Sequence, residues 1–302
     1  MLRGLLAALF LLPAAARGQN APRFYEMDEP QIAASLKKLH KDHPALRDRV
    51  EAVSEAFLGI PYKLGPLGEG GGSGFDGDPL YSFRQLDCTT SVEEIMALTL
   101  EPALDKALHE TLQAIRYKGG QVDYFSRNHF TEADWVPNNV AAGFLKDITR
   151  QVGGGLAREQ TKLVSKRDWY AHKTIDAIKG FPGASKAERA KRLRDLQARA
   201  SQFQDAVATI TYIPIDSLPQ LIAAIPSGTI ANLIRANQPG KPTIVSHQLF
   251  IIDKNGSKYV REAASGKEFL DAPALDYFKK YAGSSWPLLG LNLNELQGPP
   301  RP

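Results

Sequence analysis

The stretch Thr243-Ile244-Val245-Ser246-His247-Gln248-Leu249-Phe250-Ile251-Ile252 constrains this chain more than any other. It is apolar, β-branched and too short for a membrane span, so it reads as a buried strand. Asp253-Lys254-Asn255-Gly256 follows at once, a turn in which Asn-Gly supplies the two positive-φ positions of a tight hairpin. Tyr259 to Ala264 is then the returning strand. An antiparallel sheet is therefore required, and it carries a histidine in an apolar setting, where an imidazole is costly unless paired.

The first half of the chain has the other periodicity. Ile32, Leu36 and Leu39, then Leu46, Val50, Val53 and Phe57, keep helical spacing and predict two helices over 28–57. Leu104, Leu108, Leu112 and Ile115 predict another over about 103–116, and the Ala/Arg/Lys/Gln-rich segment 184–206 a further helix with a solvated charged face. Residues 140–150 predict a short helix, and Val207 to Ile213 a strand. Helices first and an antiparallel sheet afterwards define an α+β fold, with the helices grouped on one side of the sheet.

The N-terminus reads as a secretory signal. A short basic start, an apolar run from Leu5 to Ala16 and small residues at Ala16 and Gly18 place the cleavage after Gly18, so residues 1–18 are expected to be removed and the protein to be periplasmic or secreted. Cleavage lowers the formal charge from +4 to +2 by removing Arg3 and Arg17. No basic patch interleaves with aromatics, so no nucleic-acid partner is expected. No other apolar stretch is long enough to span a membrane. Residues 19–296 are expected to form one domain, with 184–206 as a helical insertion and 297–302, rich in proline, as a flexible tail.

There is one cysteine, Cys88. A lone cysteine is usually buried filler, but its surroundings argue for a working thiol. Val92, Ile95, Met96 and Leu100 form a helical apolar face, and Thr90 with Glu93 fits a capping box, with Asp87 as the alternative cap. Either start puts Cys88 at a helix N-terminus, where free N–H groups favour a thiolate. A thiolate nucleophile needs an imidazole. His40, His43, His109 and His172 lie in polar or charged surroundings, whereas His247 lies in the apolar strand. The imidazole in turn needs an orienting group. Glu262, the carboxylate of the returning strand, is suited, and strand register decides whether it faces His247 or solvent. No metal site is expected, since HxxxH and CxxC spacings are absent, and the 68–74 glycines lack the lysine and helix of a phosphate loop.

These residues form an ordered set. Pro61-Tyr62, a glycine-rich loop over 65–78, Asp87-Cys88 opening a helix and a histidine starting an apolar strand resemble the NlpC-type papain-like cysteine peptidases, which cut bacterial cell-wall peptides. More closely, Gly65-Pro66-Leu67-Gly68-Glu69-Gly70, Leu86-Asp87-Cys88-Thr89-Thr90, Ser126-Arg127-Asn128-His129-Phe130, Asp134-Trp135, Ile225-Pro226-Ser227-Gly228 and Ser246-His247 are similar to the N-acetylmuramoyl-L-alanine amidase-like subgroup, over about 60–265.

The resemblance implies a papain-like domain with its catalytic cysteine at a helix N-terminus and no cofactor. Cys88 would attack the amide, His247 would act as base and then acid, and the Cys88 N–H and Tyr62 hydroxyl would form the oxyanion hole. The implied reaction separates muramic acid, often the 1,6-anhydro form, from L-Ala of the stem peptide, with peptidoglycan fragments as partners. An endopeptidase cutting between D-Glu and the diamino acid, and a wall-binding protein without activity, are the alternatives. The third position of the superfamily is usually His, Asn or Gln; here Glu262 stands at the nearest equivalent. Glu69, Asp87 and Ser246 lie in the matching blocks. The loop 126–139 is expected to meet substrate, through bidentate Arg127, hydrogen bonds from Asn128 and His129, and Trp135 stacked on a sugar. The alternative is a self-satisfied polar loop packed by Trp135.

Overall fold

The computed structural model describes residues 23–298; the predicted signal and all but the first two residues of the tail lie outside the described residues. Two helices occupy the predicted N-terminal segment, α1 (Glu29–Asp42) and α2 (Leu46–Ala56). Asp28 and Gln31 close a reciprocal capping box on α1, which satisfies two otherwise orphaned backbone donors. α3 (Cys88–Leu100) is buried along almost its whole length.

The sheet has eight strands: β1 (Leu145–Asp147), β2 (Arg158–Val164), β3 (Ala206–Pro214), β4 (Thr229–Arg235), β5 (Val245–Lys254), β6 (Ser257–Ala263), β7 (Phe269–Pro273) and β8 (Leu288–Leu296). They run in the order β2-β3-β8-β4-β5-β6-β7, all antiparallel, with β1 also paired to β8. The predicted hairpin is β5–β6, turning at Asn255 (φ 55°) and Gly256 (φ 82°). The sheet is an antiparallel sheet packed against helices, as an α+β chain requires.

Helices are not confined to one side. Phe250 and Ile252 of β5 join the cluster built on α1, α2 and α3. Leu249 and Ile251 join a second cluster on the opposite face, with Leu218, Ile222 and the helix Ala274–Lys279. Both faces are covered, which is why β5 is continuously apolar rather than alternating. β8 crosses β3 at Gly290, where an added Cβ would lie 1.9 Å from the Ile213 carbonyl oxygen, so only glycine fits.

The helix Lys186–Ala198 is capped by Ser185 and Glu188 and buries only Leu196, as its charged composition requires. It helps close a small aromatic cluster with Tyr124, Tyr170 and Ile178. The segment expected to be a loop at 126–139 instead turns helical at Thr131–Trp135 and Val136–Ala141. Residues 140–150 hold the end of that helix, β1 and the start of a second short one. No helix among the described residues is long and apolar enough to cross a membrane.

Candidate active site

α3 begins at Cys88, and its cap is Asp87 rather than Thr90 with Glu93. Asp87 Oδ1 accepts from the Thr90 N–H and hydroxyl, each at 2.9 Å. Its Oδ2 accepts from the Gly65 N–H at 3.0 Å, which ties the glycine-rich loop to the helix start. Glu93 is committed elsewhere, 2.7 Å from Arg116. Cys88 is partly exposed, and as the first helical residue its N–H has no carbonyl partner within the helix.

His247 reaches this helix start from β5. Its Nε2 makes a very short contact with Glu262 Oε2. Continuing the β5–β6 register sets Glu262 beside Leu249, diagonal to His247 and on the same face. With Nε2 engaged by Glu262, Nδ1 is the ring nitrogen left for the thiol, whose influence on the ring is the largest after burial. Burial lowers the pKa of the imidazolium, but the influence of Cys88, followed by the bond to and charge of Glu262, outweighs it and raises the His247 pKa to about 10. Glu262 is itself held by Tyr277, whose hydroxyl donates to Oε2 at 2.6 Å, and by Lys280 Nζ at 3.6 Å from Oε1. Burial pushes Glu262 up, but the bonds from His247 and Tyr277 and the charge of Lys280 bring it below the ordinary carboxylate value.

Tyr62 stands near the thiol. Its pKa is raised by burial first and then by Cys88 and Asp87, with Ser265 opposing. Ser246 Oγ accepts from Arg235 Nε at 2.9 Å, and Ser246, His247, Glu262 and Tyr277 line one open cavity of about 400 Å³. Neither Tyr277 nor Lys280 stands out in the sequence. They lie on and just beyond a helix joined to Glu262 only through the fold, and the sole local hint is the i,i+4 pair Tyr277 and Tyr281.

The 126–139 segment is arranged differently from expectation. Trp135 is completely buried, its indole N–H donating to Glu93 Oε1 at 3.1 Å, so it has no face to offer a sugar. Arg127 is 3.4 Å from Glu69 and 3.8 Å from Asp76 and also donates to the Leu67 carbonyl, so its charge is already answered. Burial, with a smaller push from Asp76, raises Glu69 to about 7 against the opposing Arg127 charge, and Glu69 Oε2 has no partner. Asn128 donates to the Ile115 carbonyl and accepts from Asn138. His129 bonds the Tyr124 carbonyl at 2.7 Å beside the Trp169 ring, and burial followed by the Arg127 charge keeps it neutral. Arg127 and Asn128 border a separate cavity of about 340 Å³ that shares no lining residue with the His247 cavity. The self-satisfied loop is the arrangement found.

The profile of the N-acetylmuramoyl-L-alanine amidase-like family matches residues 52–284. The chain belongs to this family, which places it among amide-bond hydrolases of the peptidoglycan-amidase kind. The crystal structure of a Legionella pneumophila protein of the DUF1460 family superposes with a TM-score of 0.82 at 32% identity, covering 89% of this chain and 95% of that one. An N-acetylmuramoyl-L-alanine amidase from Bacteroides uniformis superposes at 0.59 with 24% identity, covering 82% of this chain and 98% of that one, and shares the fold. No curated protein matches the chain.

Proposed function

We propose that this chain is an exported, NlpC-type papain-like cysteine amidase. Its reaction is hydrolysis of the amide between N-acetylmuramic acid, including the 1,6-anhydro form, and L-Ala of the stem peptide. One observation carries the reading: the lone cysteine starts a helix and acts on a strand imidazole that is itself bonded to a buried carboxylate. That arrangement supplies a nucleophile, an acid–base group and its orienter.

Cys88 Sγ attacks the lactyl carbonyl carbon, and the oxyanion is met by the Cys88 N–H and the Tyr62 hydroxyl. The C–N bond breaks as the His247 imidazolium gives its proton to the departing L-Ala nitrogen, leaving a thioester on Cys88. Water then attacks the thioester carbon, gives a proton to His247 and expels the sulfur as thiolate. Amide and water become carboxylic acid and amine, and the protein returns to its starting state. Glu262 keeps Nε2 engaged throughout, so Nδ1 always faces the reacting atoms.

In this reading residues 19–296 are one domain with a helical insertion at 184–206, residues 1–18 direct the chain to the periplasm or beyond, and peptidoglycan fragments are the partners. A defined anhydro-muropeptide analysed by mass spectrometry tests it. The parent protein is expected to release the sugar from an intact peptide. Cys88→Ala and His247→Ala are each expected to lose activity on the order of 10⁴-fold with the fold retained. Cleavage only between D-Glu and the diamino acid would assign the endopeptidase reaction, and near-parental activity in either variant would remove the mechanism.

A further inference from the structure

Arg235 closes β4 and is 8% exposed. Arg116 and Arg261, buried at least as deeply, each have an acid beside them, Glu93 and Asp271. Arg235 has no carboxylate partner among the described residues. Its Nε donates to Ser246 Oγ at 2.9 Å and its Nη1 to the Trp286 carbonyl at 2.6 Å. The guanidinium lies 4.5 Å from the centre of the Tyr281 ring and 5.3 Å from that of Trp286, which fixes its plane. Nη2 is left without a protein acceptor among the described residues.

A buried cation with no counter-charge is costly, and burial does weaken its hold on the proton. The cost makes sense where an anion arrives from outside. Arg235 lines the same cavity as His247, one hydrogen bond from the residue next to it, and Lys267 and Lys280 line that cavity too. Glu262 is the one acid among the lining residues, and it is already held by His247, Tyr277 and Lys280.

We propose that Arg235 is the specificity residue of the cleft and binds a carboxylate of the departing peptide, with Lys280 and Lys267 contributing charge at the rim. The inference rests on the amidase reading for its substrate. The departing nitrogen takes its proton from His247, and the cavity wall that runs from His247 through Ser246 to Arg235 offers a path for what is attached to it. The free carboxylate of the second peptide residue is then the first negative charge to come within reach of the free Nη2.

Calorimetry with the catalytically inert Cys88→Ala protein tests this, using L-Ala–D-Glu with both carboxylates free and the diamide of the same dipeptide. The diacid is expected to bind at least about tenfold more tightly, the scale of a charge-assisted hydrogen bond. Adding Arg235→Gln is expected to erase the difference, and Arg235→Lys to keep part of it. Equal binding of the two dipeptides, no binding of either, or a preference that survives Arg235→Gln overturns the proposal. Should Arg235→Gln unfold, Arg235→Lys, which keeps the charge but not the planar fork, decides: an undiminished diacid preference there overturns the proposal. An Arg235-dependent preference without sugar release from muropeptides would sink the amidase reading and leave the subsite standing; sugar release without the preference would do the reverse.

Discussion

At the scale of single residues, the protonation of His247 is the most informative quantity. Its folded pKa, about 10, lies above the ordinary 6.5, so the protonated ring is bound more tightly in the folded protein than in the unfolded chain. That stabilisation is complete below about pH 6.5 and drains away as pH rises toward about 10. Cys88 supplies the leading upward push. In Cys88→Ala the imidazole C–H resonances are therefore expected to titrate at a lower pH than in the parent protein. Identical titrations in the two proteins would show that the thiol and the ring do not sense each other. Cys88 and His247 were legible in the sequence because each is chemically out of place, a lone thiol at a helix start and an imidazole in an apolar strand. Glu262 was legible as one of two orientations, and only register resolves them. Trp135 misled because an aromatic among polar residues looks like a stacking platform, whereas its N–H has a buried carboxylate partner contributed by α3.

At the scale of elements, the start of α3 joins stability to reactivity. Asp87 caps the helix and holds the Gly65 loop with its second oxygen. Asp87→Ala is expected to cost about 1–2 kcal/mol in urea unfolding, whereas Asp87→Asn, which keeps a cap acceptor, loses less. An unchanged midpoint in Asp87→Ala would mean that the cap is dispensable. The helices over 28–57 and the β5–β6 hairpin were readable because apolar spacing and turn chemistry agree there. β8 was not. Its Leu-Asn-Leu-Asn alternation fits a half-buried strand with the asparagines in solvent, but Asn292 and Asn294 are buried in a network with Asn232, Gln248, Asp147 and Thr149. Partners that distant in sequence leave no local mark.

At the scale of the whole molecule, the family match ends at residue 284, before β8, yet β8 pairs with β1, β3 and β4. Removing residues 285–298 is therefore expected to abolish cooperative thermal unfolding, followed by circular dichroism. A truncated protein that still melts in one sharp transition would show that β8 is an accessory strand. The general α+β class followed from the order of periodicities, but the covering of both sheet faces did not, because it depends on which distant helices return to the sheet.

The position of β8 also sets a timetable. On the ribosome, β2–β3 and β4–β7 emerge first, as two separate antiparallel pieces with unpaired edges facing a gap. The strand that fills the gap is synthesised after all its neighbours, so the sheet closes only late, by contacts of high sequence separation, and such closure is slow. Until that moment the piece that carries His247, against which α3 packs through Phe250 and Ile252, waits with the edge of β4 open.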